Sequence, residues 1–155
     1  MNAFTLLKRD HERIGHLIAK LEVTTERTGK YRTELFDQLR REVLAHLLIE
    51  EETLYPVLKD FRPIRSLATE AMEEHTALKF LLEDLASIPV HSTAWAVKFE
   101  ALRESLLLHV EEREKNLFPK VRRALSPEDW ENLGSLVEEA KLRVSAPSPS
   151  LVSSL

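Results

Sequence analysis

Apolar residues recur at alternating spacings of three and four along four long stretches of this 155-residue chain, which holds only three glycines. That period buries one stripe of an α-helix, and so little glycine leaves few sites for the tight turns of a β-fold. The first stretch begins near Ala3 and is ended by Gly29, with the seam Phe4, Leu7, His11, Ile14, Ile18, Leu21. The second runs from Lys30 to Lys59, with Phe36, Leu39, Val43, His46, Glu50 and Val57. The third, Pro63 to Ala86, carries Ala68, Ala71, His75, Leu78, Leu82 and Leu85. The fourth, Thr93 to Ala124, carries Phe99, Leu102, Leu106, His109 and Arg113. Short connections between long helices predict an all-α, up-down antiparallel four-helix bundle. Ser126-Pro127-Glu128-Asp129 then reads as a helix start, with a serine cap and proline at the first helical position. It predicts a short fifth helix through Trp130, Leu133, Leu136, Val137 and Ala140. Residues 1–143 are expected to form one domain, and 144–155, rich in Ser and Pro, a disordered tail.

Each seam is apolar except near its middle, where a histidine interrupts it. The halves also repeat. His11 and His75 are 64 residues apart, His46 and His109 are 63, and Leu-aromatic-Pro follows both His46 (Leu54-Tyr55-Pro56) and His109 (Leu117-Phe118-Pro119). This is the mark of a duplicated helical hairpin. A single histidine on an apolar face is usually a hydrogen-bonded core residue. Four at matching heights each need a partner, and one metal centre supplies all four. Glu50, one turn after His46, adds a carboxylate that is costly to bury unless paired or coordinated. The chain has no cysteine, so a metal here is held by imidazole and carboxylate, a donor set suited to iron, manganese or zinc.

These residues resemble the hemerythrin-like proteins, or HHE cation-binding domains. The likeness rests on Asp10-His11, on His46-Leu47-Leu48-Ile49-Glu50 with Leu54-Tyr55-Pro56, on Glu74-His75, and on His109 with Leu117-Phe118-Pro119. It covers residues 3 to about 124. The resemblance implies a non-haem di-iron centre between the helices that binds dioxygen or a similar diatomic ligand, or senses iron, oxygen or redox state. On that reading His11, His46, Glu50, His75 and His109 are metal ligands. A mononuclear site or another divalent ion is the variant to weigh. The role implied is binding or sensing rather than catalysis, with weak redox activity left open.

One position departs from the family pattern. A second His-x-x-x-Glu should place an acid at 113, and Arg113 stands there. Glu114, five residues after His109 as in the spacing of the oxygen carriers, is the substitute ligand carried in the expected set. Glu112 is a further neighbour, and a surface role is the plainer reading for both. Arg113 either turns outward or pairs with Glu50 in place of a bridging carboxylate. The competing reading is therefore a metal-free helical scaffold or interaction module built on a Glu50–Arg113 pair. A ferritin-like di-iron oxidase is set aside, because no histidine is preceded three residues earlier by glutamate. His16 and His91 are expected outside the site, and Tyr55, Phe118, Trp95 and Trp130 are expected to pack. The net charge of −4 gives no footprint for nucleic acid. No apolar run reaches the roughly 20 residues of a membrane span, and Met1 to Asp10 lacks a secretory pattern, so a cytoplasmic protein is expected. A sensing role would call for a separate protein partner.

Overall fold

A computed structural model describes residues 1–145. Its regular elements are helical: α1 (Ala3–Glu22), α2 (Gly29–Asp60), α3 (Arg65–Ala86), α4 (Thr93–Glu112), α5 (Phe118–Ala124) and α6 (Pro127–Ser145). Helices α1 to α4 close an up-down ring, each packed on the next and α4 back on α1. Asn2 caps α1 by accepting from the Thr5 N–H (2.9 Å), and Ser92 caps α4 by accepting from that of Trp95 (3.2 Å). No described helix is long and apolar enough to cross a membrane.

Three boundaries differ from the sequence expectation. Helix α1 stops at Glu22 rather than running to Gly29. Val23, Thr24 and Thr25 are β-branched, which weakens a helix. Thr24 donates its hydroxyl to the Leu21 carbonyl (2.6 Å), and Thr25 opens a short separate turn, Glu26–Thr28. The stretch expected from Thr93 to Ala124 is broken by one wide turn at Arg113–Leu117, where the Phe118 N–H bonds the Arg113 carbonyl. Pro119 brings no N–H to the carbonyl four residues before it, and its ring crowds that group. A wider turn just ahead of Pro119 relieves the conflict. Pro56, by contrast, sits within α2 without ending it.

Helix α6 begins as expected, with Ser126 accepting from the Asp129 N–H (3.1 Å), but it runs to Ser145. Val144 and Ser145, expected at the start of a disordered tail, close this helix instead. The rest of that tail, 146–155, lies outside the described residues. Helix α6 lies across α1 and α2, burying Leu133, Val137 and Ala140, while Leu136, expected on the same face, is exposed.

The apolar core is divided in two. One cluster joins Phe4, Leu7, Leu54, Tyr55, Leu117 and Phe118 to α6. The other gathers Ile14, Ile18, Leu39, Leu82, Trp95, Leu102 and Leu106 at the opposite end of the ring. Each fully buried leucine contributes about 1.5–3 kcal/mol of hydrophobic stabilisation. Between the clusters lies a polar layer, sealed from water at both ends.

Candidate metal centre

Four histidines occupy that layer, one from each helix of the ring. His11, His46, His75 and His109 are all at most 4% exposed, and Glu50 is fully buried among them. Both neighbouring and opposite helices bring the rings close: the His46 centroid lies 4.8 Å from that of His11, and the His109 centroid 5.7 Å from those of His46 and His75.

The outer nitrogens follow one rule. His11 Nδ1 donates to Glu114 (2.7 Å), His46 Nδ1 to Asp10 (3.0 Å), His75 Nδ1 to Glu51 (3.0 Å), and His109 Nδ1 to Glu74. Each acid is the chain neighbour of an inward-facing residue on one helix and serves the histidine of an adjacent helix. Asp10 follows this pattern beside His11, Glu51 beside Glu50, Glu74 beside His75 and Glu114 beside Arg113. Four carboxylates at Nδ1 set the tautomer, with the proton outside and the Nε2 lone pair inside. Sequence reasoning missed this ring of acids as a unit. The signal was an acid next to His11, Glu50, His75 and Arg113, but its target lies on another helix.

Inside the layer, acceptors face one another. His11 Nε2 and His46 Nε2 are 3.2 Å apart. Glu50 Oε2 lies 3.5 Å from His46 Nε2, 3.3 Å from His75 Nε2 and 3.6 Å from His109 Nε2. Glu50 Oε2 and His109 Nε2 are buried without a hydrogen-bond partner. Lone pairs gathered this way repel unless a cation lies among them. Two nitrogens bound to one ion at about 2.1 Å and at right to tetrahedral angles sit roughly 3.0–3.4 Å apart, which the His11–His46 pair matches. The ligating atoms of His11, His46 and His109 lie within 4.8 Å of one another, as do those of Glu50, His75 and His109.

The second group already contains a cation. Arg113 is 1% exposed, and its Nε donates to Glu50 Oε1 (2.8 Å) while Nη1 pairs with Glu112 (2.6 Å). Nη2 reaches His75 Nε2 (3.3 Å) and Glu74 (3.3 Å). The Tyr55 hydroxyl, expected only to pack, donates to the same His75 Nε2 at 2.6 Å. The inward nitrogen of His75 is therefore engaged from two sides. Glu114 stands outside the inner atoms, on the far nitrogen of His11. Glu112, expected at the surface, is the Nη1 partner of Arg113. His16 and His91 are exposed, and Lys79 bonds Glu51 at the rim.

The electrostatics fit a ligand-ready site. Burial, then the neighbouring His46, pushes His11 down to about 4, and burial also lowers His109. Both rings are thus neutral at pH 7, the form that binds metal. Burial alone would raise the Glu50 carboxyl, but His46, Arg113 and His109 together hold it well below its ordinary range. The carboxylates of Glu50 and Glu74 more than offset the burial of Arg113, whose guanidinium stays charged.

Comparison with known proteins agrees with this picture. The sequence pattern of the family described as Hemerythrin HHE cation binding domain matches residues 2–121. A Nostoc sp. protein named DNA nickase is 26% identical over 144 residues, which is 93% of this chain and 40% of that protein. This chain thus spans about two fifths of that relative. The uncharacterized protein Rv2633c of Mycobacterium tuberculosis is 28% identical over 123 residues, 77% of this chain and 71% of its own. The crystal structure of its homologue from Mycobacterium kansasii, a Hemerythrin HHE cation binding domain-containing protein, superposes with a TM-score of 0.78 at 25% identity. The match covers 93% of this chain and 85% of that one.

Proposed function

This chain belongs to the hemerythrin HHE cation-binding domain family, and on that premise we propose that it binds one divalent metal ion per chain, iron, in a centre that takes up a small diatomic ligand such as dioxygen or senses iron, oxygen or redox state. His11, His46, His109 and Glu50 hold the ion. The observation that carries this reading is the convergence of their inward acceptors, two of which have no hydrogen-bond partner. Glu114, Asp10 and Glu74 orient the three imidazoles from behind.

Arg113 takes the place of a second ion. It cannot shed its proton, and unit charges ~4 Å apart at an effective dielectric of 20 interact by about 4 kcal/mol. A second cation beside His75 would meet that repulsion and would also have to displace the Tyr55 hydroxyl. When bound, iron supplies a redox-active Lewis acid to this layer. The residues around it exclude water through the two apolar clusters, keep each Nε2 deprotonated, and hold Glu50 as a carboxylate.

A metal-free scaffold is the second reading, favoured by the Glu50–Arg113 ion pair at 2.8 Å. It is the weaker one. Arg113 satisfies Oε1 of Glu50 but leaves Oε2 and His109 Nε2 bare, at about 1–3 kcal/mol for each unsatisfied buried group. The nicking activity in the Nostoc relative's name is no part of the proposal, since this chain spans only part of that protein.

The test is iron content after anaerobic loading with ferrous iron and removal of the excess. His109→Ala is expected to lose the ion and His75→Ala to retain it. Equal loss from both variants would reassign the site to the His75 side.

A further inference from the structure

The family match ends at residue 121, yet one residue of α6, which starts at Pro127, reaches the histidine layer. The Lys141 ammonium contacts Asp10 Oδ1, while Oδ2 of the same carboxylate holds His46 Nδ1 at 3.0 Å. Asp10 is 2% exposed. A buried carboxylate is costly without compensating charge, and two cations supply it here. Arg13 also contacts Oδ1, but its side chain is 49% exposed and shared with Glu42, whereas that of Lys141 is 20% exposed. Lys141 is therefore the better shielded partner. A recess of about 500 Å³ between α1, α2 and α6 opens onto Asp10, Arg13, His46 and Lys141. Without the lysine, Asp10 has a path to turn toward water and away from His46.

We propose that Lys141 is a positioning residue for the metal centre, fixing His46 through Asp10, so that docking of α6 and occupation of the site are coupled. The inference rests on the metal-binding reading above. Its physical basis is that an imidazole loses orientation and basicity when the acid behind it is released. Coupling of this kind is reciprocal: what the docked helix adds to metal affinity, the metal returns as tighter docking of the helix. The family layer of four histidines would then report its state to an element outside the ring.

The test compares Lys141→Met, Lys141→Arg and a packing control, Val137→Ala, which trims the buried face of α6 and removes none of the polar partners of Asp10. Two quantities are read. The first, in metal-free protein, is the NMR signal of the His46 Nδ1 proton, which a bond to Asp10 holds downfield and slow to exchange. The second is the affinity and visible spectrum of bound cobalt(II), with hydrogen exchange across residues 133–144 before and after cobalt.

Lys141→Met is expected to lose the proton signal, to weaken cobalt binding by about tenfold or more, to change the spectrum, and to abolish the slowing of exchange that cobalt produces in wild type. Lys141→Arg is expected to restore all four. Val137→Ala is expected to lower the melting temperature while leaving signal and spectrum as in wild type, and to weaken cobalt by less than Lys141→Met does. A Lys141→Met protein with wild-type signal and affinity overturns the proposal. So does a Val137→Ala protein that weakens cobalt as much as Lys141→Met does, because the effect would then be packing alone. Failure of wild type to bind cobalt would remove the metal reading and the coupling with it, while the proton signal would still decide whether Lys141 orients His46.

Discussion

Replacing Arg113 with methionine isolates the charge that fills half of the histidine layer. The apolar stem of the side chain is retained, but it ends short of the guanidinium and can no longer pair with Glu50, which is fully buried and 2.8 Å from Arg113 Nε. Removing one partner of a buried pair and stranding the other typically costs about 3–5 kcal/mol. For a domain of this size, 1 kcal/mol corresponds to about 4 °C in melting temperature, so metal-free Arg113→Met should melt about 12–20 °C below wild type. The deficit should depend on pH. In the variant, burial raises the Glu50 carboxyl above its unfolded value, so its contribution is retained in acid and lost as pH rises through the raised value. The gap to wild type should therefore widen from pH 5 to pH 8. A bound divalent ion would replace the missing charge, so cobalt(II) should raise the melting temperature of the variant by more than that of wild type. Scanning calorimetry of chelator-treated and cobalt-loaded protein measures both. Metal-free Arg113→Met melting within about 2 °C of wild type at pH 8 would refute the reasoning, since Glu50 would not need its arginine.

Three other outcomes follow from the same geometry. His11 titrates near 4 when folded and near 6.5 when unfolded. Its contribution to metal-free stability should thus be present above pH 6.5 and fall toward pH 4, by at most about 1.4 kcal/mol per pH unit. Urea unfolding across that range measures this, and a flat profile would contradict the buried neutral imidazole. Glu74→Ala should weaken metal binding by about 10–100-fold in calorimetric titration, because His109 loses the acid behind it; unchanged affinity would deny the outer acids a role. Leu102→Ala, in the apolar cluster away from α6, should cost about 2–5 kcal/mol by denaturant unfolding while leaving metal stoichiometry as it was. A change in stoichiometry would mean that the layer is not independent of its seal.

Much of this arrangement is written in the seams. The period of Phe4, Leu7, His11 and Ile14, repeated in three further stretches, dictates four helices and puts one histidine in the buried stripe of each. Helix geometry then carries Glu50 inward with His46. The departure at Arg113, with pairing to Glu50 as one outcome, is visible as a mismatch between two repeats of one pattern. What escapes is whatever depends on the relation between helices. Asp10 sits beside His11 but serves His46, and Glu74 beside His75 serves His109, because ring order and rotation decide which neighbour an acid meets. Glu114 reads as an inner ligand from its spacing to His109, yet the wide turn before Pro119 presents it to the outer nitrogen of His11. Tyr55 reads as packing because its hydroxyl partner, His75, comes from another helix. Lys141 lies 131 residues from Asp10, and nothing local ties a lysine on the last helix to the first.

The central claim is that Arg113 leaves room for one ion. Anaerobic titration with ferrous iron, followed by iron and protein quantification after gel filtration, tests it most directly on wild type and Arg113→Glu side by side. Wild type should retain one iron per chain and Arg113→Glu two, because the substitution removes the fixed cation and restores a carboxylate opposite Glu50. Two tightly held irons in wild type, or none in either protein, would contradict the account.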